Sequence, residues 1–325
     1  MLKLFKPFIS FIRSFLAVKN FKLAYALLPQ VYSPIIDFDV KRDKNGLMIV
    51  NKFILSKRNL NKFKGDGKLL AAFLRRKEFN ILNNYDNGHD CVSIVFNSHN
   101  IILRMESYDN LKVIEEIFIS KLYDIKLNQT IKVVDVGMNV GTAAIYFASF
   151  DFVNKVYALE PFLKTYNLAK ANIALNPALK NKIQCFNAGL GYEDTELQVP
   201  EPLAGSLGGS TSDFLNNQSL SNFETKNLVN VKILSVLSFF DEINLGKMND
   251  KYLLKLDCEG AEYEIIKCLK DNNLISKIDI YMIEYHVKGK KEIIDTFNDF
   301  NYTIISPGYP DDERYGMIYA FKNQN

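Results

Sequence analysis

Residues 131–142 read Ile131-Lys132-Val133-Val134-Asp135-Val136-Gly137-Met138-Asn139-Val140-Gly141-Thr142, and this stretch decides the fold. Residues 131–136 are rich in β-branched side chains and predict a short buried strand that ends on an acid. Two glycines then let the chain turn sharply into a helix over 142–150. Working outward, short apolar runs at 156–159, 183–186, 252–256, 278–283, 302–305 and 317–321 predict further strands. Helical spacing at 163–175, 260–270 and 288–299 falls between them. Alternation of this length predicts βαβ units and a mainly parallel, doubly wound α/β sheet. Upstream, 91–97 and 100–106 predict a β-hairpin around Ser98-His99, and 110–123 a helix with Leu111, Ile114, Ile117, Phe118 and Leu122 on its apolar side. Residues 1–80 read as helical, with turns near Asn45-Gly46 and Gly65-Asp66-Gly67. The expected organisation is a basic, mainly helical accessory region (1–90) followed by a domain over 91–325 whose core starts at 131. Within it, the Gly-, Ser- and Asn-rich stretch 200–223 reads as a lid or a surface loop.

The glycines are spaced G-x-x-x-G behind an acid, which is not the G-x-G-x-x-G dinucleotide fingerprint. Asp135 would repel a pyrophosphate and suits a ligand with a cationic end, such as the amino group and sulfonium of S-adenosylmethionine. Glu160 closes the next strand 19 residues after Gly141, where a carboxylate can accept hydrogen bonds from both ribose hydroxyls. Together the two acids point to an adenosine-containing ligand. Further on comes Leu254-Lys255-Leu256-Asp257-Cys258-Glu259-Gly260-Ala261-Glu262. A lysine inside an apolar strand calls for a compensating carboxylate, so Lys255 is expected to pair with an acid. Asp257 falls at the strand's C-terminal edge, where open α/β sheets bind ligands. Glu259 and Glu262 start the next helix, as caps or as site residues. In Tyr281-Met282-Ile283-Glu284-Tyr285-His286, Glu284 and His286 share a face at the end of the following strand. Asp257 or His286 is the candidate general base. Asp257, Glu259 and Glu284 carry the oxygen ligands that a divalent metal prefers.

At these residues the chain resembles the FkbM family of methyltransferases, within the class I methyltransferase fold. The resemblance lies in 135–141, in Glu160-Pro161, in Asn187-Ala188-Gly189-Leu190-Gly191 and above all in 255–262, and it covers about 91–325. It implies a Rossmann-like, seven-stranded sheet with the last strand antiparallel, and S-adenosylmethionine as methyl donor. It also implies O-methylation of sugars, glycans or secondary metabolites, hence polysaccharide modification as a role. Carried over by position, Asp135, Gly137, Asn139 and Gly141 would shape the donor pocket. Glu160 would hold the ribose, and Asn187 would lie beside the adenine. Lys255, Asp257, Glu259 and Glu284 would line the reacting end. Met138 and Cys258 depart from the family's usual small and aliphatic residues.

Composition bounds the alternatives. With 48% hydrophobic and 24% charged residues the chain is of globular type. The four cysteines form no C-x-x-C pair, which argues against a zinc site or a disulfide framework and fits a reducing cytoplasm. Residues 1–80 hold 17 Lys/Arg against 5 Asp/Glu, a balance of +12; the remaining 23 against 32 leave −9. A basic front of this kind suits an anionic surface or a nucleotide-linked sugar, and equally an ordinary solvated face. Phe5, Phe8, Ile12 and Phe15 recur at helical spacing. Such a stripe packs on its own domain, on a partner protomer in a homo-oligomer, or peripherally on a membrane. Lysines and an arginine interrupt it too often for a transmembrane span. The rival readings are a nucleic-acid methyltransferase guided by the basic front and a non-catalytic scaffold. Asp-Cys-Glu-Gly in place of an Asn/Asp-Pro-Pro-aromatic signature makes nucleic acid the weaker partner.

Overall fold

The computed structural model describes residues 40–42, 48–50, 53–55, 61–63, 66–74, 76–202, 228–245, 250–309 and 312–323. The aromatic stripe at 5–15, both turns expected in 1–80 in part, and nearly all of the expected lid lie outside them. Chain contacts group residues 1–122 as one unit and 123–325 as another. In the first unit, β1 (Val40–Arg42), β2 (Met48–Val50) and β3 (Phe53–Leu55) form an antiparallel sheet in sequence order. Helix α1 (Gly67–Leu74) follows. Then β4 (Phe79–Asp86), β5 (His89–Phe96) and β6 (His99–Arg104) form a second antiparallel sheet.

The described residues bear on two expectations. The region 1–90 is not mainly helical among its described residues, because short β-branched and aromatic runs such as 48–50 and 53–55 pair as strands. The hairpin gains a third strand, β4, joined by Asn87-Gly88. Asn87 (φ 47°) with Gly88 (φ 85°), and Asn97 (φ 47°) with Ser98 (φ 61°), make the two connections in the left-handed region that tight two-residue hairpins require. Helix α2 (Tyr108–Ile114) begins earlier than 110, since the Ser107 side chain accepts from the Asn110 N–H as an N-cap. A single π-helical segment, Glu115–Ile119, continues it.

The second unit is built on the strand that opened the sequence argument. It comprises β7 (Ile131–Val136), α3 (Thr142–Ala148), β8 (Val153–Leu159), α4 (Leu163–Ala174) and β9 (Ile183–Phe186). Next come β10 (Gly189–Gly191), β11 (Thr195–Pro200), β12 (Leu228–Ser235) and α5 (Val236–Glu242). The chain finishes with β13 (Tyr252–Leu256), α6 (Glu262–Asp271), β14 (Ile280–Tyr285), α7 (Lys291–Asp299), β15 (Tyr302–Ile305), β16 (Gly308–Tyr309) and β17 (Asp312–Lys322). The main sheet runs β15-β17-β14-β13-β7-β8-β9, with the short β16 paired to β17. Five central strands are parallel, and β17 inserts antiparallel between β14 and β15. This is the seven-stranded, Rossmann-like architecture. A small separate sheet, β10-β12-β11, branches off after β9.

Every residue of β13 is buried, as expected of a strand covered on both faces, and α3 is buried along its whole length. The order reverses direction at β7: the chain moves outward through β8 and β9, then returns to lay β13 and β14 on the other side. The C-terminal edge at β7 and β13 is therefore the topological switch point, where such sheets leave a crevice. Among the described residues no helix is long and apolar enough to cross a membrane.

Candidate functional site

The glycine loop is fixed at both ends. The N–H groups of Gly137 and Met138 both donate to the Leu159 carbonyl, at 3.1 and 2.9 Å, so the loop is tied to the end of β8. Gly137 has φ 77°, and a Cβ built there would overlap the Asp257 carbonyl oxygen. Only glycine allows β7 and β13 to approach so closely at the crevice. Gly141, at φ 83°, caps α3 and faces Ala169 of α4 at a separation that leaves little room for a side chain. Asn139 also lies in the left-handed region, at φ 50°. It aims its N–H at Glu160 Oε2, 3.2 Å away.

Glu160 is 6% exposed. Its other oxygen, Oε1, accepts from the Phe162 N–H at 3.0 Å. Burial pushes this carboxyl up to about 7, against the two backbone hydrogen bonds that favour its charge. Asn187 donates its side-chain amide to the carbonyls of Glu160 and Pro161, at 2.9 and 3.0 Å. It braces the turn that carries Glu160.

Lys255 and Asp135 form a buried pair beneath the loop. Lys255 Nζ lies 3.0 Å from Asp135 Oδ1 and 3.4 Å from Asp257 Oδ2, and donates to the carbonyls of Gly137 (2.7 Å) and Val136 (3.3 Å). Burial alone would lower its pKa, but the two carboxylates outweigh that and hold it above the usual lysine value. Burial raises Asp135, and Lys255 opposes the rise. Asp135, expected to meet the cationic end of a ligand, is paired inside the sheet in this structure. Its carboxylate is closed off from solvent and meets a lysine from the neighbouring strand instead. Lys255, expected at the reacting end, is a fully buried tie between the glycine loop and Asp257.

The other end of the crevice is lined by Asp257, Glu259, Glu284 and His286. Asp257 is 31% exposed; its Oδ2 receives the Tyr123 hydroxyl at 3.4 Å, and its Oδ1 lies 4.0 Å from His286 Nε2. Tyr123 is buried, and burial together with Asp257 and Glu284 keeps its hydroxyl protonated. Glu259 does not begin the helix. It sits in the turn before it at φ 54°, with Gly260 at φ 107°, and places Oε2 3.8 Å from His286 Nε2. Helix α6 starts at Glu262, whose carboxylate is fully buried and accepts from both the Cys258 N–H and His286 Nδ1 at 2.9 Å. Glu262 thus caps the helix and orients the imidazole at once. Burial lowers the His286 pKa, but Glu262, then Asp257 and Glu259, raise it to about 9, so the ring is cationic at neutral pH. The Tyr263 hydroxyl holds the carbonyls of His286 and Gly289 at 2.8 and 2.9 Å. Between them Val287, a β-branched residue, is forced to φ 69°. One oxygen each of Asp257 and Glu284 and one nitrogen of His286 lie within 4.8 Å of one another.

Sequence reasoning missed Tyr123 and the dual role of Glu262. Tyr123 lies 134 positions before Asp257 and carries no local motif. Glu262 was visible as a cap, and its partner His286 only becomes adjacent once β13 and β14 pair.

Several known proteins are similar to this chain. Methyltransferase 1 of Beauveria bassiana (strain ARSEF 2860) is 28% identical over 171 residues, covering 49% of this chain and 67% of that protein. Among solved structures, the FkbM methyltransferase of Methylobacillus flagellatus KT is similar at 14% identity and a TM-score of 0.41. That likeness covers 61% of this chain, which spans 45% of the length of the solved protein. TrmK of M. capricolum, solved with S-adenosylhomocysteine, is similar at 16% identity and a TM-score of 0.33, over 63% of this chain and 67% of that one. Residues 135–304, more than half of the chain and the span holding every crevice residue above except Tyr123, match the methyltransferase FkbM domain: the chain belongs to that family.

Proposed function

We propose that this chain is an S-adenosylmethionine-dependent methyltransferase acting on a hydroxyl of a sugar, a glycan precursor or a related small molecule. The observation that carries the proposal is the meeting of these strand ends at the switch point of the sheet. Gly137 brings the loop against Asp257 with no room for a side chain, while Glu160 offers a buried carboxylate at the adjoining strand end. These residues fit the donor. Each Glu160 oxygen uses one backbone N–H, and a carboxylate has about four acceptor positions, which leaves capacity for two ribose hydroxyls. When bound, S-adenosylmethionine supplies an electrophilic methyl group on a sulfonium.

The chain's own residues then have distinct tasks. Asn139 and Asn187 hold Glu160 in place, and Lys255 ties the loop to β13. Asp257, partly exposed and held by Tyr123 and Lys255, accepts the proton of the attacking hydroxyl. His286 already carries a proton at neutral pH and orients rather than accepts. Positioning of this kind supplies much of the rate when reacting atoms are held in line at about 3–3.5 Å. A crevice end rich in carboxylates suits an acceptor with several hydroxyl donors, which supports a sugar.

The test is transfer of a labelled methyl group to nucleotide-linked sugars and to RNA. Label in an alkali-stable sugar ether is expected. Label in RNA, with binding that weakens steeply with salt, would favour the nucleic-acid reading instead. Asp257→Asn is expected to lower kcat by roughly 10²–10⁴ while leaving donor affinity within threefold.

A further inference from the structure

We infer that the acceptor end of the crevice is a binding site for one divalent cation, with Asp257, Glu284 and His286 as its protein ligands. The inference rests on the proposed methyltransferase function and extends it to the way the acceptor is held. The three donor atoms come from the ends of the adjacent strands β13 and β14 and lie within 4.8 Å of one another. A shared cation needs the donors to draw together, since ligands at about 2.1 Å from a metal stand roughly 3.0–4.2 Å apart.

The histidine is the second, independent observation. Its side chain is 8% exposed, and Nδ1 is engaged by the fully buried Glu262 carboxylate at 2.9 Å. That leaves Nε2 aimed into the crevice, with carboxylate oxygens of Glu259 and Asp257 at 3.8 and 4.0 Å. Those separations are too long for hydrogen bonds, so Nε2 meets the two carboxylates only as long ion pairs. A carboxylate behind one ring nitrogen with the other left open is the arrangement that orients histidine ligands in metal sites. Glu259 and Glu262 add two further carboxylates around the position, against the one ammonium of Lys255 at 3.4 Å from Asp257 Oδ2, so carboxylates outnumber cations there. The cation would take the place of the proton on Nε2.

Two carboxylates and one imidazole suit a hard to borderline divalent ion such as Mn²⁺, with remaining positions filled by water and the acceptor. Bound there, the acceptor hydroxyl becomes more acidic and passes its proton to the Asp257 oxygen that the cation leaves free, as its own oxygen attacks the methyl group and the methyl–sulfur bond breaks.

The probe is Mn²⁺ itself, titrated by electron paramagnetic resonance into chelator-treated full-length protein. One ion per chain is expected, with at least tenfold weaker binding in Glu284→Gln and in His286→Gln and unchanged binding in the surface control Glu193→Gln. Glu284 is half-buried, so its amide variant is the one expected to fold, which circular dichroism checks. Failure of the folded wild type to bind Mn²⁺, or binding indifferent to both ligand variants, overturns the inference. Calorimetry of S-adenosylmethionine on the same samples separates the two readings. Donor binding without metal binding removes only the cation site, whereas absent donor binding removes the proposed function on which it rests.

Discussion

Three side chains carry charges into places where water cannot reach, and each has a measurable consequence. Lys255 neutralises Asp135 inside the sheet. Replacing it by methionine keeps the volume but leaves a buried carboxylate without its partner, a change that costs about 3–5 kcal/mol. Urea unfolding of Lys255→Met is expected to show that loss, and adding Asp135→Asn to recover part of it. Glu160 has the opposite logic, since burial raises it from 4.5 to about 7. The groups that face it are Lys255, which lowers its pKa, and Asp135, which raises it, together with the Phe162 and Asn139 amides. Below pH 4.5 the carboxyl is protonated in both folded and unfolded chains and imposes no penalty. Between about 4.5 and 7 the folded chain binds the extra proton, so stability falls as pH rises and levels off above 7. The fall is about 3 kcal/mol. Glu160→Gln is expected to flatten that part of the stability profile and to raise the melting temperature at pH 8.

At the scale of elements, legibility followed local pattern. Strands whose side chains alternate or run apolar between turn residues, such as 131–136, 183–186, 252–256 and 302–305, coincide with β7, β9, β13 and β15. What escaped was structure whose cause is not local. β10 is a three-residue Gly-Leu-Gly strand that exists because β12 pairs with it. β12 does alternate through Val229, Val231 and Ile233, but Asn230 and Lys232 on its other face mask it. The Asn87-Gly88 pair was a legible hairpin signal that also went unread. Its neighbour, Asn97-Ser98, departs from the best turn chemistry, since Ser98 must hold φ 61°. Ser98→Gly is expected to stabilise the first unit by about 0.5–1 kcal/mol, read as a higher urea midpoint at unchanged slope. The site was legible as a list of strand ends, because Asp135, Glu160, Asp257 and Glu284 all terminate or follow strands. Which of them face solvent was not, because Asp135 and Asp257 lie on neighbouring strands and compete for one lysine.

For the whole molecule, the sheet order explains why these residues meet. The reversal between β7 and β13 opens the crevice, and the loops after β7, β8, β13 and β14 converge on it from both sides. Residues 120 positions apart, Gly137 and Asp257, come close enough that only a glycine fits. Glu160 lies on the β9 side of this edge, and Asp257, Glu284 and His286 on the β14 side. The central claim is that this edge binds S-adenosylmethionine, and calorimetric titration of the wild type and Glu160→Ala tests it most directly. One site per chain in the wild type, with affinity at least tenfold lower in the folded variant, is the expected result. A folded wild type that does not bind, or a variant that binds as tightly, would contradict it.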